Sequence, residues 1–278
     1  MANQHRQLTR RAPAKINLFL HIIGRRPDGY HNLQTVFQFL DRCDILHFTR
    51  KPENDITLSS ALPGVADSDN LIMKAAKLLK TSTNCPLGAD IRLEKNIPMG
   101  SGLGGGSSDA ATTLLALNEL WDLQLPTAAL MPLGRKLGAD VGIFLYQKTA
   151  FAEGIGDELT AIDTPMPWYV ILVPSVHVST PAMYAHPSLK RDTAPITAAD
   201  YLKGVPCHND FSPLVCQEYP LIKEALSWLS QFGPARLTGS GAGLFLPCKS
   251  EAQAIDIVGQ IPTGMIGFAA KGQNQAPF

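Results

Sequence analysis

Three observations predict an α+β fold in two parts. Near the N-terminus, an alternating apolar and polar run is followed by a turn signal and a second apolar run, the mark of an antiparallel strand pair. Around residue 100, five glycines in seven positions stand between an alternating strand and a helical pattern. From about residue 168 the order is strand, helix, strand, strand, helix, strand, that of a split βαβ sandwich.

In 13–23, Ile16, Leu18, Leu20 and Ile22 share one face and Lys15, Asn17, Phe19 and His21 the other, because side chains alternate along a strand. Lys15 and Asn17 therefore point the same way, with Cα atoms about 6 to 7 Å apart, close enough to grip one ligand; a lone Lys there ordinarily marks a solvated face. Arg26, Pro27, Asp28 and Gly29 form a turn. Tyr30 and His31 behind it suit either stacking on a base or closing a hairpin. A second strand passes through Val36, Phe37, Phe39 and Leu40, and 44–49 and 56–60 predict further short strands. Residues 67–70 offer a capped entry to a helix that carries Leu71, Ile72, Ala75, Ala76, Leu78 and Leu79.

The strand before the glycines, 90–97, has Ile91, Leu93 and Ile97 on its buried face. After them, Ala110, Ala111, Leu114, Leu117 and Trp121 recur at helical spacing, with Ser107 or Ser108 placed to cap the first turn. A helix is predicted over 127–137, kinked or split at Pro132 and closed by Gly138. Asp140 then stands at a junction before the apolar run 141–146; such an Asp is ordinarily a turn or cap residue. Prolines within 164–167 break the pattern, which divides the chain into domains 1–164 and 165–278. Thr180, Pro181 and Tyr184 follow in a strand-to-helix turn, and the polar stretch 186–203 reads as a mobile loop or lid. A helix over 220–232, strands over 235–238 and 244–247, a helix over 251–261 and a strand over 265–271 complete the second half. Between its two middle strands lies a second glycine turn, Gly239, Ser240, Gly241, Ala242 and Gly243.

The first glycine stretch carries the chemistry. Pro98, Met99, Gly100, Ser101, Gly102, Leu103, Gly104, Gly105, Gly106, Ser107 and Ser108 lie between a strand and a helix start. Glycines permit close backbone approach and a helix start offers unpaired N–H groups, so together they suit a polyphosphate. No Lys follows the last glycine, so the Walker pattern fails. Gly100, Gly102 and Gly105 match the dinucleotide spacing, but the strand before them alternates and the downstream acids Glu119 and Asp122 fall at the helix end. Asp109, read in the first turn of the helix, would repel phosphate unless a cation intervened, which hints at Mg²⁺.

With 278 residues, 45% of them hydrophobic, the chain can bury a substantial core. Its formal net charge of zero gives no global field to recruit nucleic acid or an acidic membrane. Five cysteines without CxxC spacing indicate neither a disulfide framework nor a zinc site and suit a reducing compartment. No signal peptide or membrane span is read, so a cytoplasmic protein, monomer or homodimer, is expected.

On the segments 13–19, 98–111 and 238–245, the chain resembles the GHMP kinase superfamily. That resemblance implies an N-terminal domain like domain 2 of ribosomal protein S5 and a ferredoxin-like C-terminal domain. Within the superfamily, four segments are similar to a branch that phosphorylates a cytidine diphosphate-linked polyol in the non-mevalonate route to isoprenoid precursors. They are 13–18, 26–31, the triple glycine before Ser107, Ser108 and Asp109, and 138–144. The resemblance implies ATP and Mg²⁺, with the backbone from Pro98 to Ser108 around the phosphates and Asn70, Leu71 and Lys95 near the adenosine. Gly239, Ser240 and Gly241 would complete the phosphate site. Asp140 would take the proton from the acceptor hydroxyl or only orient it, beside Lys15. Tyr30 and Tyr184 would stack on either side of the cytosine, His31 would bond its edge, and Asn17 and Thr180 would contact the substrate.

Ser101 and Tyr184 stand where the branch often has Gly and Phe, and no counterpart of the superfamily's metal-binding Glu is identified, so metal ligands stay unassigned. The other readings are a kinase of another small alcohol such as mevalonate, homoserine or a sugar, a nucleotide-binding module without turnover, and a dinucleotide oxidoreductase. Tyr30, His31 and Tyr184 argue against the first of these, and Lys15 with Asp140 against the second.

Overall fold

Alternation over 13–40 becomes two long antiparallel strands, β1 (Gln7–Arg25) and β2 (His31–Lys51). The turn between them is closed by Arg26 N donating to Tyr30 O at 2.8 Å, with Gly29 at φ 87°. The computed structural model describes residues 6–60, 65–66 and 68–277. The separate strand expected over 44–49 is the far half of β2, which runs on without a break. Both faces of β1 are buried from Ala12 to Ile22, so Lys15 and Asn17 do not lie on a solvated face. Lys15 is covered by the glycine loop at Gly104, by the Phe37 ring and by Asp140, while the second half of the chain meets β1 just beyond, where Asn17 N donates to Thr238 Oγ1 and Leu20 N to His208 O. Register shifts fall between Pro13 and Lys15 and between Asn17 and Leu20, and β1 contributes Ala12 to one core, Ile16 and Phe19 to a second, and Leu20 and Ile22 to a third.

Next come β3 (Ile56–Leu58), α1 (Leu71–Thr83) and β4 (Gly88–Glu94), with β4 antiparallel to β2 and parallel to β3. Asn70 caps α1, its Oδ1 accepting from Ile72 N at 2.9 Å; Asp67, the other end of the expected entry, lies outside the described residues. Then follow α2 (Gly105–Leu120), α3 (Thr127–Leu137) and α4 (Val141–Tyr146). Pro132 lies inside α3 without splitting it into two elements, and Gly138 after it is extended at φ 166° rather than left-handed. The apolar run after Asp140 is the short helix α4, and a hairpin of β5 (Ala150–Glu153) and β6 (Glu158–Ala161) then adds to β2.

The second half comprises β7 (Trp168–Val173), α5 (Thr180–Ala185), α6 (Ala198–Leu202), α7 (Ser212–Glu218), α8 (Pro220–Leu229), β8 (Arg236–Leu237), β9 (Leu244–Cys248), α9 (Glu251–Val258) and β10 (Ile266–Gln273). Its strands lie in the order β10-β7-β9-β8, the split βαβ arrangement. The end of β10 also pairs with β2, at Gly272 with Leu40 and Gln273 with Phe39, joining both halves in one ten-stranded sheet. An apolar layer containing Ile16, Phe19, Tyr169, Ile171 and Phe245 binds the halves together. The stretch 186–203, expected as a mobile loop or lid, contains the short helix α6 and is hydrogen-bonded to β1 and α5. Thr193 N donates to Ile22 O, Thr193 Oγ1 to Asp210, and Arg191 to the carbonyls of Tyr184, His186 and Leu189.

Candidate active site

Side-chain alternation on β1 brings Lys15 and Asn17 together: Lys15 Nζ donates to Asn17 Oδ1 at 2.7 Å. Asn17 Nδ2 donates in turn to Thr35 Oγ1 at 2.9 Å, and the Phe37 ring lies 5.3 Å below the ammonium. The remaining direction of Lys15 Nζ is taken by Asp140 Oδ2 at 3.1 Å. Lys15 is 3% exposed and Asp140 40%, so the cation is enclosed while the carboxylate meets the cavity. Asp140 occupies the cap position of α4 yet makes no capping bond; its side chain serves Lys15 instead.

The glycine loop earns its composition at two places. Gly102 and Gly104 both have φ 73°, a conformation that costs any side chain. A Cβ on Gly102 would lie 2.9 Å from the carbonyl oxygen of Gly241, and one on Gly104 would lie 2.8 Å from Phe144 Cζ and 3.1 Å from Lys15 Cε. The two glycine turns are stitched by Gly243 N donating to Ser101 O at 3.0 Å, and the loop to β1 by Lys15 N donating to Leu103 O at 2.9 Å. Ser101, the departure from glycine, closes the turn by donating its hydroxyl to Pro98 O at 2.7 Å.

Gly104, not Ser107 or Ser108, caps α2, because its left-handed backbone turns the chain into the helix without a side-chain bond. The first helical bond is Ser108 N to Gly104 O, so the N–H groups of Gly105, Gly106 and Ser107 point out of the helix start, where anions are favoured.

Asp109 lies just past the first turn and bonds Lys95 Nζ at 2.8 Å. That pairing removes the repulsion read from the sequence and with it that argument for a cation. Lys95 also bonds Asp44, whose other oxygen accepts N–H from Asn96 and Ile97. Burial lowers the Lys95 pKa, but Asp109 and Asp44 outweigh it and leave it raised. Burial, opposed by the Lys95 charge and reinforced by Asp44, pushes Asp109 up to about 7. The folded state thus holds this proton above the pH at which the unfolded chain releases it, near 3.8. Asp109's contribution is fully present below that value and is lost as pH rises through about 7. Asp109→Asn is expected to flatten the fall in urea midpoint between about pH 4 and pH 7 relative to wild type; parallel slopes in the two proteins would contradict this.

Two cavities open on either side of the loop. One, of about 370 Å³, is bordered by Asn70, Leu71, Lys95, Pro98, Met99 and Gly106 among others. The second, of about 410 Å³, is bordered by Lys15, Asn17, Asp140, Thr180, Tyr184 and Ser240 among others. Gly100, Gly102, Gly104 and Ser107 line both, so the loop is their common wall. Ser101 and Gly105 line the first alone, and Gly239 and Gly241 the second. Leu103 and Ser108 are buried and line neither.

Thr180 Oγ1 and Ser240 Oγ are hydrogen-bonded at 2.7 Å, tying α5 to the second glycine turn. Burial and then the Asp140 charge push the Tyr184 phenol up. His31 stacks on the Tyr184 ring, with centroids 5.1 Å apart. Tyr30 is 60% exposed and lines a third cavity, of about 320 Å³, which shares Ala139 and Ile155 with the second. Phe37 and His177 also line the second cavity. Neither is legible in the sequence as a site residue: Phe37 reads as one more apolar strand residue, and nothing in the pattern marks His177.

The model of the GHMP kinases N terminal domain matches residues 70–148 and that of the GHMP kinases C terminal matches residues 204–266. The 4-diphosphocytidyl-2-C-methyl-D-erythritol kinase of Shewanella putrefaciens is 51% identical over 268 residues, covering 96% of this chain and 94% of that one. The chain belongs to the 4-diphosphocytidyl-2-C-methyl-D-erythritol kinase family. The family's enzyme from Burkholderia thailandensis is 48% identical over 276 residues, with the same coverage of 96% and 94%. A crystal structure of 4-(cytidine 5'-diphospho)-2C-methyl-D-erythritol kinase superposes with a TM-score of 0.82 at 31% identity, covering 95% of this chain and 99% of that one. L. major mevalonate kinase, at 14% identity and a TM-score of 0.71 over 99% and 98% of the two chains, shares the fold. The two-part α+β GHMP kinase fold and the small-molecule kinase class expected from the sequence are thereby met.

Proposed function

We propose that this chain transfers the γ-phosphoryl group of ATP to the 2-hydroxyl of 4-diphosphocytidyl-2-C-methyl-D-erythritol, giving the 2-phosphate and ADP. The reading rests on one observation: two cavities share the glycine loop as a wall, and Lys15 with Asp140 stands on one side of it. ATP occupies the cavity beside Asn70, Leu71 and Lys95, and its phosphates meet the backbone from Pro98 to Ser107. The acceptor lies against Asn17, Thr180 and Tyr184, with Ser240 and the turn at Gly239 and Gly241 closing over the transferred group. The cytosine reaches toward His31 and Tyr30.

Phosphoryl transfer demands alignment and charge stabilisation more than covalent help from the protein. The acceptor oxygen forms its bond to Pγ as the bond from Pγ to the β-phosphate oxygen breaks, and the hydroxyl proton passes to Asp140. Lys15 keeps that carboxylate oriented and places positive charge beside the developing one. The N–H groups of Gly105, Gly106 and Ser107 donate to phosphate oxygens.

Among the described residues, no group of three or more His, Cys, Asp or Glu side chains could hold a metal ion. Ser107, which borders both cavities, would hold a Mg²⁺ brought in on the phosphates. The ion would neutralise phosphate charge when bound.

The ATP-binding domain is assigned to 1–164 and the C-terminal domain to 165–278. Among the described residues no helix is long and apolar enough to cross a membrane, and the five cysteines, all free, support action in a cytoplasmic compartment. The test is ADP release with Mg²⁺-ATP and a panel of acceptors. Turnover is expected with 4-diphosphocytidyl-2-C-methyl-D-erythritol, inhibited competitively by CDP. Turnover of mevalonate or homoserine, unaffected by CDP, would contradict the reading.

A further inference from the structure

Beside the second cavity, Arg191 meets the His31 imidazole that lies on Tyr184. Arg191 lies between α5 and α6 and donates to four acceptors. Its Nε reaches His31 Nε2 at 3.0 Å, its Nη1 the carbonyl of Leu189 at 2.9 Å, and its Nη2 the carbonyls of Tyr184 and His186, both at 2.8 Å. A guanidinium has donors only, so His31 Nε2 must accept. The ring is then neutral and its one proton sits on Nδ1. Burial and the Arg191 and Arg25 charges also hold His31 below the usual imidazole range.

Among the described residues, the buried polar atoms without a partner are His21 Nδ1, Ser108 Oγ, Asp109 Oδ1 and Thr112 Oγ1. His31 Nδ1 is not one of them and has no protein acceptor among those residues, so it is left for solvent or ligand. The ring lies on Tyr184, which borders the acceptor cavity and whose carbonyl the same arginine holds.

We propose that Arg191 is a positioning residue that locks His31 as a donor at Nδ1 and thereby makes the site select cytosine over uracil. This rests on the cytidine reading given above. Cytosine presents N3 as an acceptor, which an Nδ1–H satisfies; uracil presents N3–H, and two donors then face each other. Without Arg191 the ring can move its proton to Nε2 and accept from uracil.

Two measurements test it. Histidine ¹⁵N NMR of the unliganded protein, with the signal assigned by its loss in His31→Gln, reads the tautomer directly. Wild type and Arg191→Lys, which keeps a donor without an acceptor, are expected to carry Nδ1–H; Arg191→Met is expected to populate Nε2–H. Competition by CDP and by UDP reads selectivity. The preference for CDP is expected to fall about tenfold in Arg191→Met, the effect of one misplaced buried hydrogen bond, and to persist in Arg191→Lys. Should Arg191→Met fail to fold, Arg191→Gln, whose amide can donate or accept, carries the same comparison. Nε2–H in a wild type that binds CDP would overturn the lock alone. Equal losses for CDP and UDP, with their ratio unchanged, would make Arg191 a staple of the loop and overturn the selectivity. An Nδ1–H wild type that binds CDP no better than UDP would overturn the selectivity together with the cytidine reading.

Discussion

Asp140→Asn is expected to lower the rate of ADP release by about 10²- to 10⁴-fold while leaving the affinities for ATP and acceptor within a few-fold of wild type. The amide has the shape of the carboxylate, and its oxygen can still accept from Lys15 Nζ, which lies 3.1 Å from Asp140 Oδ2. What it cannot do is take the acceptor's proton. Such a loss falls on kcat and not on KM, because the missing interaction exists only as the proton leaves. Steady-state kinetics with ligand binding measured separately checks it. A fall of less than about tenfold would reduce Asp140 to orienting the hydroxyl, and a rise in KM at constant kcat would move it from chemistry to binding.

Gly102→Ala is expected to cost about a hundredfold or more in kcat/KM, because a displacement of about 1 Å at a reacting centre is enough for that loss. The residue has φ 73°, and its new Cβ would lie 2.9 Å from Gly241 O and 3.1 Å from Thr238 O. Both neighbours are backbone, so no rotamer change relieves the contact. The first glycine turn must separate from the second, and the wall between the cavities moves. The left-handed backbone alone costs an Ala about 1 to 2 kcal/mol, which a domain of this size survives, so a cooperative melt should remain. Gly24→Ala is the control, since a Cβ there meets nothing within 4 Å. Equal activity in the two variants would contradict the claim that the turns are held in contact for function.

What the chain discloses before folding depends on the range of the interaction. The partnership of Lys15 and Asn17 follows from the two-residue period of a strand, and it appears as a 2.7 Å hydrogen bond. The glycine stretch discloses a phosphate loop because composition, strand and helix start are all local. Burial of the face that carries Lys15 and Asn17 is not legible: the cover comes from Gly104 and Asp140 over Lys15 and from Thr238 against Asn17, all far along the chain. The pairing of Asp140 with Lys15 has the same character, and only the family resemblance pointed to it.

Other differences have local causes. The β5–β6 hairpin turns at Gly154 and Gly156, both at positive φ, a local signal of two closely spaced glycines. Ser107 and Ser108 looked like caps because Ser usually is one, but Gly104 already turns the backbone. Asp109 reads as repulsive to phosphate on its own, but Lys95, just past the end of β4, lies against it.

In the proposed reaction the glycine loop is a wall across which the phosphoryl group passes once, directly from donor to acceptor. The measurement closest to that transfer is the stereochemical course at phosphorus, followed with ATP made chiral at the γ-position by oxygen isotopes. A single in-line transfer across the loop predicts inversion of configuration in the phosphorylated product. Retention would require the group to rest on a protein side chain between two displacements, and would contradict the account.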